Sequence, residues 1–230
     1  MTSLIEQMTC GHADNKNWHL YLHGRITGSN AHAVLTRGRK IAAAATEGEA
    51  VTNVTNLVHR ILGQSSVPSG LPALKYGREM EGGARTADVK AQGATHRKLV
   101  VTEGGLFLHH QHMNVGASPN GLVQSIAVGR GLLGINCSFS ISHTTPSHKN
   151  VGFLEMREDG ALCLKKSHQY FSQVQFQMGV IQRTWCDYFT RHGHVSVRVL
   201  LDDERWNELL LHSEQFFCRE IAPALVNSSK

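Results

Sequence analysis

Between Glu103 and Glu155 the chain has no aspartate or glutamate. That stretch therefore cannot supply the hard carboxylate oxygens on which a magnesium or calcium site usually rests. Long apolar runs are also missing: none approaches the roughly 20 residues needed to span a bilayer. Residues 1–16 lack the apolar core of a signal peptide, and we expect them to form a disordered N-terminal extension. Five cysteines, at 10, 137, 163, 186 and 218, are too scattered and odd in number for a disulfide framework. No Cys/His signature of a thiol enzyme accompanies them, and the Cys10/His12 pair is two ligands short of a structural zinc site. No internal repeat, low-complexity tract or dividing linker interrupts the sequence. These absences point to a soluble intracellular protein with no membrane partner, nucleus or cytoplasm being left open.

What remains is the composition of an ordinary globular domain. Of the 230 residues, 41% are hydrophobic and 18% charged. The net charge of +5 and pI near 9.1 favour a polyanionic partner, nucleic acid first. Fifteen histidines add positive charge only on mild acidification.

The order of elements is α first, then β. Trp18–His23 reads as a helix, Arg25-Ile-Thr-Gly-Ser29 as a turn, and Ser29 as the cap of a helix over Asn30–Thr36. Helix continues over Ala42–Ala45 and Glu49–Leu62, with Val51, Val54, Leu57, Val58 and Ile61 at core spacing, and over Leu71–Gln92. Short apolar segments then alternate with glycine-bearing turns at Lys98–Val101, Gly105–His109, Leu122–Ala127 and Leu132–Asn136, as in a strand meander. Strands are expected at Val151–Met156 and Ala161–Lys165, a helix at Ser167–Gln182, a strand pair at Trp185–Thr190 and His194–Leu201, and a last helix capped by Asp202 or Asp203.

Five patterns in order carry a family resemblance: Trp18 with Arg25-Ile-Thr-Gly-Ser29; Ala73-Leu-Lys-Tyr-Gly-Arg-Glu-Met-Glu-Gly-Gly-Ala-Arg85; Gly116-Ala-Ser-Pro-Asn-Gly121; Gly131-Leu-Leu-Gly-Ile-Asn-Cys137; and Gln173-Val-Gln-Phe-Gln177 before Trp185-Cys-Asp187. Together they resemble the YqaJ-type viral recombinases, relatives of lambda exonuclease within the PD-(D/E)XK, restriction-endonuclease-like superfamily. The resemblance implies an α/β fold with a mixed central sheet flanked by helices, an N-terminal helical lobe, and a single domain over residues 17–226. It also implies 5′-to-3′ degradation of duplex DNA from an end, without sequence preference, by Mg²⁺ (or Mn²⁺) held on carboxylates, and a homo-oligomer. In such chemistry the metal lowers the pKa of a bound water, and a lysine adds positive charge at the scissile phosphate.

Position by position, the resemblance places the helix glutamate at Glu81, the one retained metal ligand, and the active-site glutamine at Gln173. The turn aspartate is Asn120 here, the strand glutamate is Gly134, and the strand lysine is Asn136. Leu22 stands where many relatives have a 5′-phosphate arginine. Asn120 offers a neutral carbonyl, Gly134 offers nothing, and Asn136 cannot act as a cation. Loss of one preorganised charged group typically costs on the order of 10²–10³ in rate, so the loss of several leaves little.

The expected function is a DNA-exonuclease-fold protein that has lost catalysis and binds DNA through Arg25, Ser29, Lys75, Arg78, Lys165 and Lys166. An alternative is an active Mg²⁺- or Mn²⁺-dependent exonuclease using Glu81, Asn120, Gln173 and a displaced Glu155-Met-Arg157. A second alternative is an interaction module without enzymatic activity. His109, His110 and His112 are expected to form a polar loop rather than a softer-metal site.

Overall fold

The computed structural model describes residues 4–47, 53–65, 76, 99–136, 145–190 and 195–228. The expected helix over Leu71–Gln92, with Lys75, Arg78 and Glu81, lies outside the described residues apart from Tyr76, as do Cys137 and the first half of the loop after it. Among the described residues no helix is long and apolar enough to cross a membrane. Cys10, Cys163, Cys186 and Cys218 are free thiols.

The main sheet has five strands in the order β10-β9-β6-β5-β2. These are β2 (Val100–Thr102), β5 (Gly121–Ser125), β6 (Gly129–Asn136), β9 (Trp185–Thr190) and β10 (Val195–Leu200). β6 and β9 run parallel, with Leu132 beside Cys186 and Asn136 beside Thr190, and the other pairs are antiparallel. The sheet is therefore mixed, as expected. All six residues of β9 are buried, which marks it as central, whereas β10 alternates as a strand with one face in the core should. A small sheet of β3 (Phe107–Leu108), β4 (Val115–Ala117) and β1 (Ile26–Thr27) stands beside it, and β7 (Leu154–Met156) pairs with β8 (Leu162–Leu164) as a separate hairpin.

One face of the main sheet carries the larger core. Leu132, Cys186, Tyr188, Val197 and Val199 point into it, and the opposing helices supply Leu35, Val34, Phe176, Met178, Leu209 and Ile221. The helices are α3 (Gly28–Glu47), α5 (Gln169–Ile181) and α6 (Asp203–Phe216), the last followed by a π-helical turn at Phe217–Ile221 and α7 (Ala222–Ser228). The other face carries a smaller cluster of Val123, Leu133, Trp185 and Phe189. There the Asp187 carboxylate, buried in the sheet, accepts two 2.8 Å hydrogen bonds from Arg198, whose guanidinium lies 4.2 Å from the Trp185 ring. Short helices α1 (Leu4–Met8), α2 (Lys16–Leu22) and α4 (Thr55–Ile61) complete the N-terminal part. Of the expected core positions, Leu57, Val58 and Ile61 are buried in α4, Val54 precedes the helix as its N-cap and is partly buried, and Val51 lies outside the described residues.

Three differences from the sequence expectation have physical causes. First, residues 4–14 are not a disordered extension. Thr9 Oγ1 accepts the Leu106 N–H at 2.7 Å, the buried Glu6 carboxylate accepts the Gly105 N–H at 3.2 Å, and His12 Nε2 meets Gly104 O at 2.6 Å. Gly105 permits this contact, because a Cβ there would stand 1.9 Å from the Glu6 carbonyl oxygen. Second, Arg25–Ser29 is not simply a turn. Ile26 and Thr27 form β1, which pairs in parallel with Val115 and Gly116 of β4. Third, α3 begins at Gly28, ahead of Ser29, and runs for 20 residues, so the expected short helices over Asn30–Thr36 and Ala42–Ala45 are one. Gly28 lets the start of α3 approach α5 closely: a Cβ would lie 3.3 Å from both Gln173 Cγ and Gln173 O.

Candidate active site

Two patterns far apart in sequence meet through β1 and β4. Pairing of Thr27 with Gly116 sets Arg25–Ser29 beside Gly116–Gly121. The Ser118-Pro119-Asn120 turn is then fixed from two sides. Trp18 Nε1 donates to Ser118 Oγ at 2.8 Å, and Gln177 Nε2 donates to Ser118 O at 3.2 Å. The Gln-Val-Gln-Phe-Gln run divides its work by helical geometry. Gln173 and Gln177, four residues apart, share a face toward Gly28 and the turn. Gln175 projects elsewhere, donating to Leu200 O at 2.9 Å and accepting from the Asp202 N–H at 2.8 Å.

The register of β5 with β6 pairs Gly121 with Leu133, so Asn120 lies across from Gly134. Asn120 Oδ1 accepts the Ile135 N–H at 2.9 Å, extending the ladder with a side chain. Gly134 and Asn136 share one face because strand side chains alternate, and Tyr188 and Thr190 are their partners on β9. The space beside Gly134 is occupied by aromatic rings. A Cβ at Gly134 would be 3.1 Å from Tyr188 Cδ2 and 3.6 Å from Cys186 Sγ. The Tyr188 ring packs 5.7 Å from Tyr170 and 6.3 Å from Phe153, and His168 lies 4.7 Å from Tyr170. Asn136 faces the Tyr170 phenol. Burial raises the phenol pKa, and the nearby amide partly opposes that shift. Asn136 Nδ2 is itself buried and turned toward that phenol, without a hydrogen bond of regular geometry.

The structure thus brings Asn120, Gly134 and Asn136 side by side, with Gln173 and Ser29 on the adjoining starts of α5 and α3. Ser29 is exposed, and its hydroxyl is 3.0 Å from Thr27 Oγ1. Arg25 is engaged within the protein: Nε donates to Met113 O at 2.9 Å and Nη1 to Tyr21 O, and burial lowers its pKa. Lys165 and Lys166 lie between β8 and α5, with Lys166 Nζ 3.1 Å from Asp202 Oδ2 on the surface. Glu155 is on the β7–β8 hairpin. It lines a groove of about 530 Å³ with Arg157, Lys166, Arg198 and Asp202, a set that includes none of the residues at 120, 134 or 136. His109 is buried rather than part of an open polar loop. Its Nδ1 accepts the N–H groups of Gln111 and His112, and His112 Nδ1 is 3.1 Å from Glu214.

A divalent ion does not fit the described donor set. None of the three is a carboxylate: Asn120 offers a neutral carbonyl that also accepts a backbone N–H, Gly134 has no side chain, and the buried Nδ2 of Asn136 is a donor. Among the described residues no group of three or more His, Cys, Asp or Glu is placed to hold a metal ion. Tyr170 and Tyr188, which fill the space, are absent from the set of expected site residues. The usable signal for Tyr188 was period-two alternation along β9, which puts it on the face of Cys186 and Thr190.

The family model of the YqaJ-like viral recombinase domain matches residues 17–186. This chain belongs to the YqaJ-like viral recombinase family. Among solved structures, the chain is similar to an alkaline exonuclease from Laribacter hongkongensis, with a TM-score of 0.64 and 23% identity over 94% of this chain and 98% of that one. It is also similar to the same exonuclease in complex with dAMP, at 0.61 and 24% over 91% and 95%. A SOX–DNA complex matches at 0.51 and 13%, over 94% of this chain and 69% of that one. No curated protein sequence matches the chain. These likenesses establish a restriction-endonuclease-like exonuclease fold for this YqaJ-like domain.

Proposed function

We propose that this YqaJ-like protein has lost metal-dependent hydrolysis and keeps sequence-independent binding to nucleic acid, duplex DNA ends in particular. The observation that carries the proposal is the facing set Asn120–Gly134–Asn136. The three positions that the family resemblance assigns to a metal site hold an amide bonded to the backbone, no side chain, and an amide nitrogen. Glu81 would be the sole carboxylate left at such a site, too little for tight Mg²⁺ or Mn²⁺ binding. Binding of DNA is supported by the net charge of +5 and by the SOX–DNA and exonuclease–dAMP structures that share the fold. Ser29, Lys165 and Lys166, together with Lys75 and Arg78, are the proposed phosphate contacts. Arg25 contributes by holding α2 to the loop before β4.

The test is incubation with 5′-phosphorylated duplex DNA in Mg²⁺ or Mn²⁺, alongside a gel shift across salt concentrations. Retention at low salt with no released nucleotides is the expected outcome. Progressive degradation that Glu81→Ala abolishes would sink the inactive-enzyme proposal. Absence of retention at any salt concentration would remove the nucleic-acid proposal and leave an interaction module.

A further inference from the structure

Three strands of the main sheet present rows of side chains on the face that carries Gly134. Asn120 and Gly134 form the first row. Thr102, Leu122 and Leu132 form the second, and Val100, Gln124 and Arg130 the third. Rows on one face are two residues apart, so the third lies about 13 Å from the first. Thr102, Gln124 and Arg130 are exposed. Arg183, just after the end of α5, joins them. Together they line a cavity of about 320 Å³ with Val100, Leu122, Val123 and Gly131.

The charges in this cavity are one-sided. Arg130 and Arg183 are close enough that Arg130, after burial, is a cause of the lowered pKa of Arg183. Arg183 Nη1 donates to Ile181 O and Gln182 O at 3.2 and 3.1 Å, and no carboxylate pairs with either arginine among the described residues. Two guanidinium groups facing one concavity repel each other unless an anion lies between them. The planar donor fork of arginine suits the oxygens of a phosphodiester.

We propose that Arg130 and Arg183, with Gln124 and Thr102, form a phosphodiester-binding subsite that holds a nucleic-acid strand two rows away from the Asn120–Gly134 pair. This subsite rests on the nucleic-acid binding proposed above. An acidic peptide could also meet two arginines. A nucleic-acid strand is favoured because the two guanidinium groups share one concavity with the neutral donors Gln124 and Thr102, in a chain of net charge +5.

The experiment measures binding of a fluorescein-labelled, 5′-phosphorylated duplex by anisotropy over a series of KCl concentrations. Wild type is compared with Arg130→Ala, Arg183→Gln, the double variant and Lys165→Ala/Lys166→Ala. Arg130 is exposed, so its variant leaves the fold intact, and circular dichroism checks Arg183→Gln. Each arginine variant is expected to reduce the slope of log affinity against log salt by about 0.9 and to weaken low-salt binding about tenfold. A double variant that keeps wild-type slope and affinity, while the lysine variant loses both, overturns the subsite and leaves DNA binding standing. Failure of the wild type to bind at low salt overturns both. Arg130-dependent capture of a poly-glutamate peptide, with no duplex binding, assigns the cavity to an acidic partner and also overturns the proposal.

Discussion

Gly134→Ala probes how far the site has closed. The added Cβ would sit 3.1 Å from Tyr188 Cδ2, tighter than an ordinary van der Waals contact. Tyr188 is 5% exposed and held between Tyr170 and Phe153, so its ring cannot step aside freely. Overpacking of this kind costs about 1–3 kcal/mol. The lost backbone freedom of glycine in the unfolded chain offsets about 0.4–1 kcal/mol. The net expectation is destabilisation of about 1 kcal/mol, or a fall in the urea midpoint of about 0.5 M if m is about 2 kcal/mol/M. A double-mutant cycle with Tyr188→Leu localises the cause: alanine at 134 should cost less beside leucine than beside tyrosine. Equal cost in both backgrounds, or a stabilising Gly134→Ala, would refute the argument that Tyr188 occupies the place of the missing side chain. If the argument holds, restoring a glutamate at 134 requires a change at Tyr188 as well as at Asn120 and Asn136.

Two further outcomes follow from the described contacts. Burial is the first cause lowering the pKa of His32, His109, His168 and His212 from the ordinary 6.5. The unfolded chain therefore takes up protons that the fold resists, and stability present above about pH 6.5 is lost as pH falls. Asp202 is held below 3.8, chiefly by the Arg205 N–H, so its contribution is lost only below that value. The urea midpoint should fall between pH 7 and 5, and a flat or rising midpoint contradicts this account. Gly105→Ala should dislodge residues 4–14, because its Cβ would strike the Glu6 carbonyl oxygen. Digestion with a glutamate-specific protease should then cut after the otherwise buried Glu6 at least tenfold faster; an unchanged rate would show that the segment is held in some other way.

What could be read from the sequence depended on how far apart the interacting residues are. Helix α5, the β9–β10 pair and the Asp202 cap of α6 follow from local periodicity and capping, and Asp202 Oδ1 does accept the Arg205 N–H at 3.1 Å. The β1–β4 pairing was not legible, because strands of two and three residues have no period to detect and their partners are almost 90 positions apart. Anchoring of residues 4–14 was equally hidden. It depends on Glu6, a charged residue buried by a backbone contact that only a glycine partner allows. In the candidate site the strand meander was legible, and β5 and β6 do pair as neighbours. The filling of the space was not legible, since Tyr170, Tyr188 and Phe153 come from a helix, a strand and the turn before β7.

The bond from Ile135 N–H to Asn120 Oδ1 gives this protein a local gauge of its own centre. Most amides in the sheet exchange with solvent only when a backbone ladder opens. This one is guarded by a side chain, and rotation of Asn120 alone would release it. Anything that turns the Asn120 side chain away from β6 uncovers that single hydrogen and leaves its ladder neighbours in place. Exchange at one amide therefore reports the orientation of Asn120, whether or not any bond in a nucleic acid is broken there.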